Sequence, residues 1–368
     1  MHDKAAEFIV VGAGAAGLGI AWHLADKGKK VILLEAKEPG GGAMTASAGM
    51  LSPAYEAEYE ELPLLRAMLE SRQRYPEWIA YLGDVGYEDS GTYELALTPE
   101  DVPYVRRRYE FERQQGLEVE WMEGTELRKR LPHLSTRIPA GTYAPQDGHV
   151  IPEMLKARLI EAFLSTGGIL YAQTPVLRIE HRPPGFILHT PYTIYQAETV
   201  IVCVGVPLEG LELPFRVYPV RGQMVSVENP AFGWLPAPVR YYNRMMGYGY
   251  AVPKKTYIIL GGTTEEKGAD PSLTLGGVMD ILRRAYYVFP DLYEVRIVRM
   301  WAGLRPATAS RTPFLAHEPG TRLFFVNGLY RNGILLLPLI AEGVTQWVLE
   351  GNLPPSLQPF YQDRSLLR

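Results

Sequence analysis

The chain has 368 residues, 47% apolar and 21% charged, with a formal net charge of −4. That length exceeds what one hydrophobic core usually holds, so two domains are expected. The slightly acidic balance excludes a nucleic-acid face built on surplus cations, and no apolar run is long enough to span a bilayer as a helix. The single cysteine, Cys203, excludes an intramolecular disulfide. It sits in the apolar run Thr199–Val204 and reads as a buried, inert thiol. The lone cysteine fits a cytoplasmic location, and the first residues lead directly into a strand, so no signal peptide is expected.

In chain order, the apolar run Phe8–Val11 meets Gly12-Ala-Gly-Ala-Ala-Gly17. A helical pattern follows from Ala15 to about Lys27, and a second apolar run, Val31–Leu34, ends at Glu35. Gly40 to Gly42 open a loop that passes Ser47 and Gly49. Helices are expected over Leu62–Leu82, Glu100–Gln115, Thr125–Arg130, Glu153–Ser165 and Val278–Phe289, and a last one from near Gly333 to Leu349. Strands are expected at Tyr93–Leu97, Ile169–Ala172, Val176–Glu180, Thr199–Val204, Val295–Trp301 and Leu323–Val326. Phe186–Thr190 with Thr193–Ala197 reads as a hairpin, and residues 217–260 as β-rich and aromatic.

The strand–helix–strand signal recurs at the beginning, middle and end of the chain, with the aromatic β segments between. The expected fold is therefore α/β (α+β): a Rossmann-like dinucleotide-binding domain interleaved with a β-rich substrate domain. The boundaries fall at 1–84, 146–216 and 303–368 for the first, and at 85–145 and 217–302 for the second.

The glycine fingerprint carries the first chemistry. Gly12 permits a tight turn, Gly14 lets the backbone approach a pyrophosphate, and Gly17 lets the helix pack against the strand. The free N–H groups at the helix start, from Ala15 and Ala16, face the phosphates. Glu35, followed by Ala36, stands at the spacing expected of an acid that accepts a ribose hydroxyl, which argues against a 2′-phosphate. A glycine-rich turn without a ligand is the bland alternative, but strand, helix and acid all agree with a dinucleotide.

Four stretches together resemble the glycine oxidase branch of the D-amino-acid oxidase superfamily, the branch linked to thiamine biosynthesis: Val10–Gly17, Ala46-Ser-Ala-Gly-Met-Leu51, Trp301-Ala-Gly-Leu-Arg-Pro306 and Tyr330-Arg-Asn-Gly-Ile-Leu-Leu336. Pro219–Gln223 and Asp147–Pro152 match as well, all in family order. The resemblance implies non-covalent FAD, since Cys203 does not stand where sarcosine oxidase relatives attach flavin and Ala43–Met50 has no histidine. It implies flavin contacts from Ala43, Met44, Ala48, Gly49 and Met50, and from Val176 and Gly205. Gly328, Tyr330, Asn332, Gly333, Ile334 and Leu335 would add to them near the N1–C2=O edge.

The resemblance also assigns Arg305 and Tyr250 to the substrate carboxylate and Arg331 to a place near substrate and flavin. A guanidinium fork can hold a carboxylate by two parallel hydrogen bonds. The plain alternatives are an inter-domain ion pair for either arginine and a packed aromatic face for Tyr250. The implied reaction is oxidative deamination of glycine or a similar small amino acid: hydride to flavin N5, then an imine, a 2-oxo acid, ammonia and hydrogen peroxide. It implies no metal and a homo-oligomer. Departures are Thr264 for a pocket methionine, Tyr248 and Leu329 for histidines, and Ala307–Thr312, which lacks Asp-Gly. The changes at Thr264 and Tyr248 bear on side-chain and amine recognition and leave strict glycine preference open. The rival readings are a dehydrogenase using a quinone or another carrier, a sarcosine, proline or larger D-amino acid substrate, and a non-catalytic flavoprotein subunit, against which the intact Arg305 and Tyr250 speak.

Overall fold

The computed structural model describes residues 4–56, 59, 61–207, 211–231 and 233–363. Two eight-stranded sheets organise them. In the first, Ala5–Val11 lies between Val31–Leu34 and Ile194–Val202, all parallel, and the sheet continues through Ile169–Tyr171 on one side and Leu323–Asn327 on the other. Central parallel strands are covered on both faces, which is why Ile9, Val10, Ile32, Leu33, Val200 and Ile201 form unbroken apolar runs with no exposure. The helix Ala15–Asp26 covers one face and packs against the helices Leu337–Glu350 and Pro152–Ser165.

The second sheet is antiparallel except where Val239–Asn243 runs parallel to Thr92–Ala96. Its register places Trp121, Thr142, Glu94, Arg240, Tyr250, Gly261, Met224 and Trp301 opposite one another in a single row across all eight strands. Paired residues share a face, so this row faces one side. The alternate residues, among them Leu95, Val225, Val239, Tyr241 and Leu260, form a core with Ile281, Ala285 and Val288 of the helix Leu275–Val288 on the other. One side of the sheet is thus spent on packing, and the other carries polar and aromatic chemistry towards the first sheet.

Hydrogen bonds between segments packed on the two sheets tie them together, among them the following three. Trp301 Nε1 donates to the Ala46 carbonyl at 3.1 Å, buried Lys254 donates to the Val150 carbonyl at 2.6 Å, and the Tyr330 amide donates to the Pro306 carbonyl at 3.1 Å. Ala48, Met224, Val252 and Ile259 form a small apolar cluster at the same seam.

Several expected elements differ. Thr193–Ala197 and Thr199–Val204 are one strand, Ile194–Val202, because the intervening polar residues alternate outward before the strand enters the core. Its first half pairs with Gly185–His189 and its second with Leu323–Asn327. The strand expected at Val176–Glu180 lies at Arg178–Arg182, leaving Val176 buried in the preceding loop. The strand expected to stop at Trp301 runs over Ile297–Ala307, held by an eleven-residue partner, Tyr218–Glu228. The last helix begins at Leu337, not near Gly333: Pro338 has no N–H for the Ile334 carbonyl, which instead accepts from the Tyr75 hydroxyl at 2.5 Å and the Leu337 amide at 3.0 Å.

Thr274 caps the helix Leu275–Val288. Its hydroxyl accepts from the Gly277 amide at 3.2 Å and from Gln223 Nε2 at 2.9 Å, and its own amide donates back to Gln223 Oε1 at 2.8 Å. Thr274→Ala removes an N-cap and leaves a buried amide group short of one partner. Denaturant unfolding is expected to show a loss of about 1–2 kcal/mol, with the KM of the holoenzyme unchanged.

Candidate active site

The fingerprint turn is built as the glycines require. Gly12 has φ +99°, and a Cβ there would meet the Cys203 carbonyl at 2.6 Å; a Cβ on Gly17 would meet the Gly12 carbonyl at 1.8 Å. Around a Cβ on Gly14 the protein offers nothing within 4 Å. Two of the glycines are therefore demanded by the protein's own packing. The third faces open space at the N-terminus of the helix, where Ala15 and Ala16 supply the first amides. That is where a pyrophosphate belongs. Glu35 Oε2 accepts from the Ala13 amide at 2.7 Å and Oε1 from the Lys37 amide at 2.8 Å. The carboxylate is thus fixed beside the turn, with lone pairs left for a ribose hydroxyl. Ala36 is half-buried beside it.

From here the chain crosses to the seam. The Gly40 amide donates to the Ala13 carbonyl at 2.7 Å, and a short helix, Ala43–Ala46, follows. Met44, Ala48 and Gly49 are buried, and Met50 is half-buried opposite His149. On the other side of the first sheet, Gly205 and Gly328 both have positive φ, and the Asn327 side chain donates to the Gly205 carbonyl at 2.9 Å. Tyr330, Ile334 and Leu335 are buried around a turn in which Tyr330 has φ +47°. Asn332 is buried with Oδ1 lacking a donor among the described residues, and a Cβ on Gly333 would reach only the edge of Leu329, at 3.8 Å. An orphaned acceptor beside an unfilled glycine marks a cradle for a polar ring. These residues fit a bound flavin.

Arg305 lies on the long strand with its guanidinium stacked flat on Gly222, where a Cβ would come within 2.5 Å of its Cζ. Its Nη1 donates to the carbonyls of Thr263, at 3.0 Å, and Arg221, at 3.3 Å. The two carbonyls fix the plane of the fork and leave its other edge to the pocket. Tyr250 reaches the same place over Gly261 and Gly262: a Cβ on Gly262 would lie 3.0 Å from the Tyr250 hydroxyl and 3.5 Å from Arg305 Nη2. Burial raises the Tyr250 pKa, and the Arg305 charge beside it opposes the shift. The phenol is therefore a neutral hydrogen-bonding group across the physiological range. Arg305 and Tyr250, distant in sequence, converge as a carboxylate receptor would require.

Arg331 approaches from the flavin side and lies 2.9 Å from Glu56 Oε2. Glu56 is a residue that sequence reasoning missed. It is 13% exposed, and both it and Arg331 bear electrostatically on Tyr250. Its position five residues after the Ala46–Leu51 stretch was the available signal. The contact is chiefly Coulombic, since Glu56 Oε2 has no aligned donor among the described residues. Tyr248 is partly exposed one alternation beyond Tyr250, with its ring against Arg240 and its hydroxyl 2.5 Å from that of Tyr104. Thr264 is exposed, directly after the carbonyl that holds Arg305. Among the described residues no group of three or more His, Cys, Asp or Glu could hold a metal ion, and no helix is long and apolar enough to cross a membrane.

A nucleotide cradle on a parallel sheet, joined to a second sheet that brings an arginine fork beside a buried phenol, is the architecture of a flavin-dependent oxidoreductase of amino acids. The FAD dependent oxidoreductase family matches residues 7–347, and the chain belongs to that family. It is similar to the glycine oxidase of Geobacillus kaustophilus, at 34% identity over 97% of this chain and 96% of that one. The crystal structure of glycine oxidase from Geobacillus kaustophilus superposes with a TM-score of 0.90, covering 97% of this chain and 98% of that one at 32% identity. A third relative is the bifunctional protein ThiO/ThiG of Synechocystis, 30% identical over 98% of this chain but only 54% of its own length.

Two outcomes follow from the geometry. Gly17→Ala is expected to prevent folding or FAD retention altogether. Gly14→Ala should leave apoprotein Tm near wild type while weakening FAD, measured by fluorescence titration; equal damage from both would refute the division. Separately, Asp147 is buried behind the Pro53–Glu56 turn, and desolvation pushes its pKa up to about 7 against hydrogen bonding from the Ala54 and Tyr55 amides. A carboxyl whose folded pKa is raised stabilises the fold below its unfolded value of 3.8 and loses that contribution as pH rises towards 7. The stability of wild type minus that of Asp147→Asn is therefore expected to fall from pH 4 to pH 7 in urea titrations. Parallel profiles would contradict it.

Proposed function

We propose that the protein oxidises glycine, or a similarly small primary or secondary amino acid, to the 2-oxo acid with release of ammonia or amine and hydrogen peroxide. The single observation that carries this reading is the convergence of Arg305 and Tyr250 at the seam between the sheets, beside a cradle that fits FAD. Bound there, FAD supplies the two-electron acceptor and passes its electrons to dioxygen. The fork of Arg305 and the Tyr250 hydroxyl hold the carboxylate and so fix the direction of the Cα–H bond. Arg331 and Glu56 form the facing wall, and the Glu56 carboxylate can accept a hydrogen bond from the amine. Gly12, Gly14, Gly17 and Glu35 hold the nucleotide end, with Ala48, Gly49, Met50, Gly328 and Gly333 close to the ring.

The similarity to glycine oxidases and to ThiO/ThiG supports glycine as substrate and a role in supplying its imine to thiamine biosynthesis. We propose that the chain divides into an FAD domain, 1–84, 146–216 and 303–368, and a substrate domain, 85–145 and 217–302, and that it works in the cytoplasm as a homo-oligomer. Ile297, Val298 and Met300 stand exposed on an edge strand, which supports self-association.

The test is a peroxide assay on a panel of amines, run with Arg305→Ala. Glycine or sarcosine should bleach the bound FAD anaerobically, and air should restore it with peroxide formed. Flavin that air reoxidises only very slowly would point to another electron acceptor. Arg305→Ala loses charge-assisted hydrogen bonds of about 1.5–3 kcal/mol each and the orientation they enforce, so kcat/KM for glycine should fall by at least about a hundredfold. Arg305→Lys should restore only part. An amine without a carboxylate should be nearly indifferent; equal losses for both would make Arg305 structural.

A further inference from the structure

Arg240 is 2% exposed and belongs to no motif singled out in the sequence. It stands directly opposite Tyr250 on one side and Glu94 on the other. Its Nη1 donates to the Tyr55 carbonyl, and its guanidinium lies between two rings, 4.2 Å from the centroid of Tyr55 and 4.3 Å from that of Tyr248. The same Tyr55 carbonyl accepts from Arg108 Nη2 at 3.1 Å, as does the Ala54 carbonyl at 3.1 Å. Glu94 joins the two arginines, at 2.9 Å from Arg108 Nε and 3.3 Å from Arg240 Nε. The Arg240 contact is Coulombic, without an aligned hydrogen bond.

Burying two guanidiniums is expensive unless the surroundings hold them. Arg108 also donates to Glu94 and Glu112, but both guanidiniums converge on the carbonyls of one four-residue turn, Pro53–Glu56, whose last residue faces Arg331 in the pocket. That outlay is not needed for a sheet that already has an apolar core on its other face. We infer that Arg240, held by Glu94, is a positioning residue for the substrate's amine end: it sets the Tyr55–Glu56 turn and the Tyr248 ring relative to Tyr250.

The planar guanidinium is essential to this arrangement. It stacks between two rings while giving an in-plane N–H to a carbonyl, which an ammonium cannot do at once. The carboxylate end is held separately, by Arg305, so the two ends of the substrate can be disturbed independently.

The inference rests on the reaction proposed above, and the holoenzyme tests it. Arg240→Lys is expected to retain FAD, to raise the KM for glycine about tenfold with a smaller change in kcat, and to alter the Kd of acetate, read from the flavin absorption, by less than about threefold. Combined with Glu56→Gln, its effect on KM should be non-additive, because both act on one wall. The pair Glu94→Met with Arg240→Met removes one buried opposite-charged pair and leaves Arg108 with Glu112 at 3.2 Å; its Tm should exceed that of Arg240→Met alone while KM stays raised. An Arg240→Lys enzyme with wild-type KM, additive effects in the cycle, or a double-Met variant that recovers KM together with Tm would each overturn the inference. Wild-type enzyme inert to glycine would instead defeat the proposed reaction, and whichever amino acid it does oxidise then serves for the same comparison.

Discussion

The site depends on the register of one antiparallel pair. Tyr218–Glu228 and Ile297–Ala307 run side by side from Tyr218 opposite Ala307 to Met224 opposite Trp301 without a shift. That pairing puts Trp301, Gly303 and Arg305 on the face turned towards the nucleotide-binding sheet. Trp301 then reaches the Ala46 carbonyl, Gly303 leaves room for the Ala46 methyl, and Arg305 lies on Gly222. A slip of one residue would turn all three away. The glycines at 222 and 303 are therefore not loop punctuation. They keep this face thin enough for a guanidinium on one side and a neighbouring helix on the other.

In the proposed reaction the two ends of an amino acid meet different physics across the seam. The carboxylate end is electrostatic and rigid, with a fork whose plane is set by two backbone carbonyls and a phenol kept neutral by burial. The amine end is a wall of balanced charge, in which Arg331 faces Glu56 and buried arginines hold the turn behind it. Balanced charge on that side suits an amine that must be neutral to react. An uncompensated cation there would repel the ammonium in which the substrate arrives, and an uncompensated carboxylate would hold that ammonium protonated.

The buried charges around the Pro53–Glu56 turn also shape the titration of the fold. Glu94 sits against Arg108 and Arg240, which hold its pKa down against burial, while Glu112, beside the same Arg108, is pushed up to about 8 by burial first and by the neighbouring Glu94 second. Two carboxylates sharing a guanidinium cannot both ionise freely in a low-dielectric interior.

The nucleotide half was legible in the sequence because its constraints are local. Gly12, Gly14, Gly17 and Glu35 lie within one strand–helix–strand unit, and their spacing alone dictates the turn. The alternation of strands and helices was enough to indicate two interleaved architectures. Arg305 and Tyr250 could be singled out only through resemblance, since neither spacing nor periodicity brings residues 55 positions apart together; the ladder through residues 218–228 and 257–261 does that. Arg240 carried no signal and Glu56 only its nearness to the Ala46–Leu51 stretch, because a glutamate near a loop and an arginine in a strand look like solvated charges until the fold buries them. The start of the last helix and the unbroken strand Ile194–Val202 were likewise set by tertiary partners: a tyrosine hydroxyl that takes a carbonyl beside Pro338, and a neighbouring strand that covers what the polar residues seemed to interrupt. Local sequence fixed the elements whose hydrogen bonds close within a few residues, and long-range pairing decided every side chain that meets another across the seam.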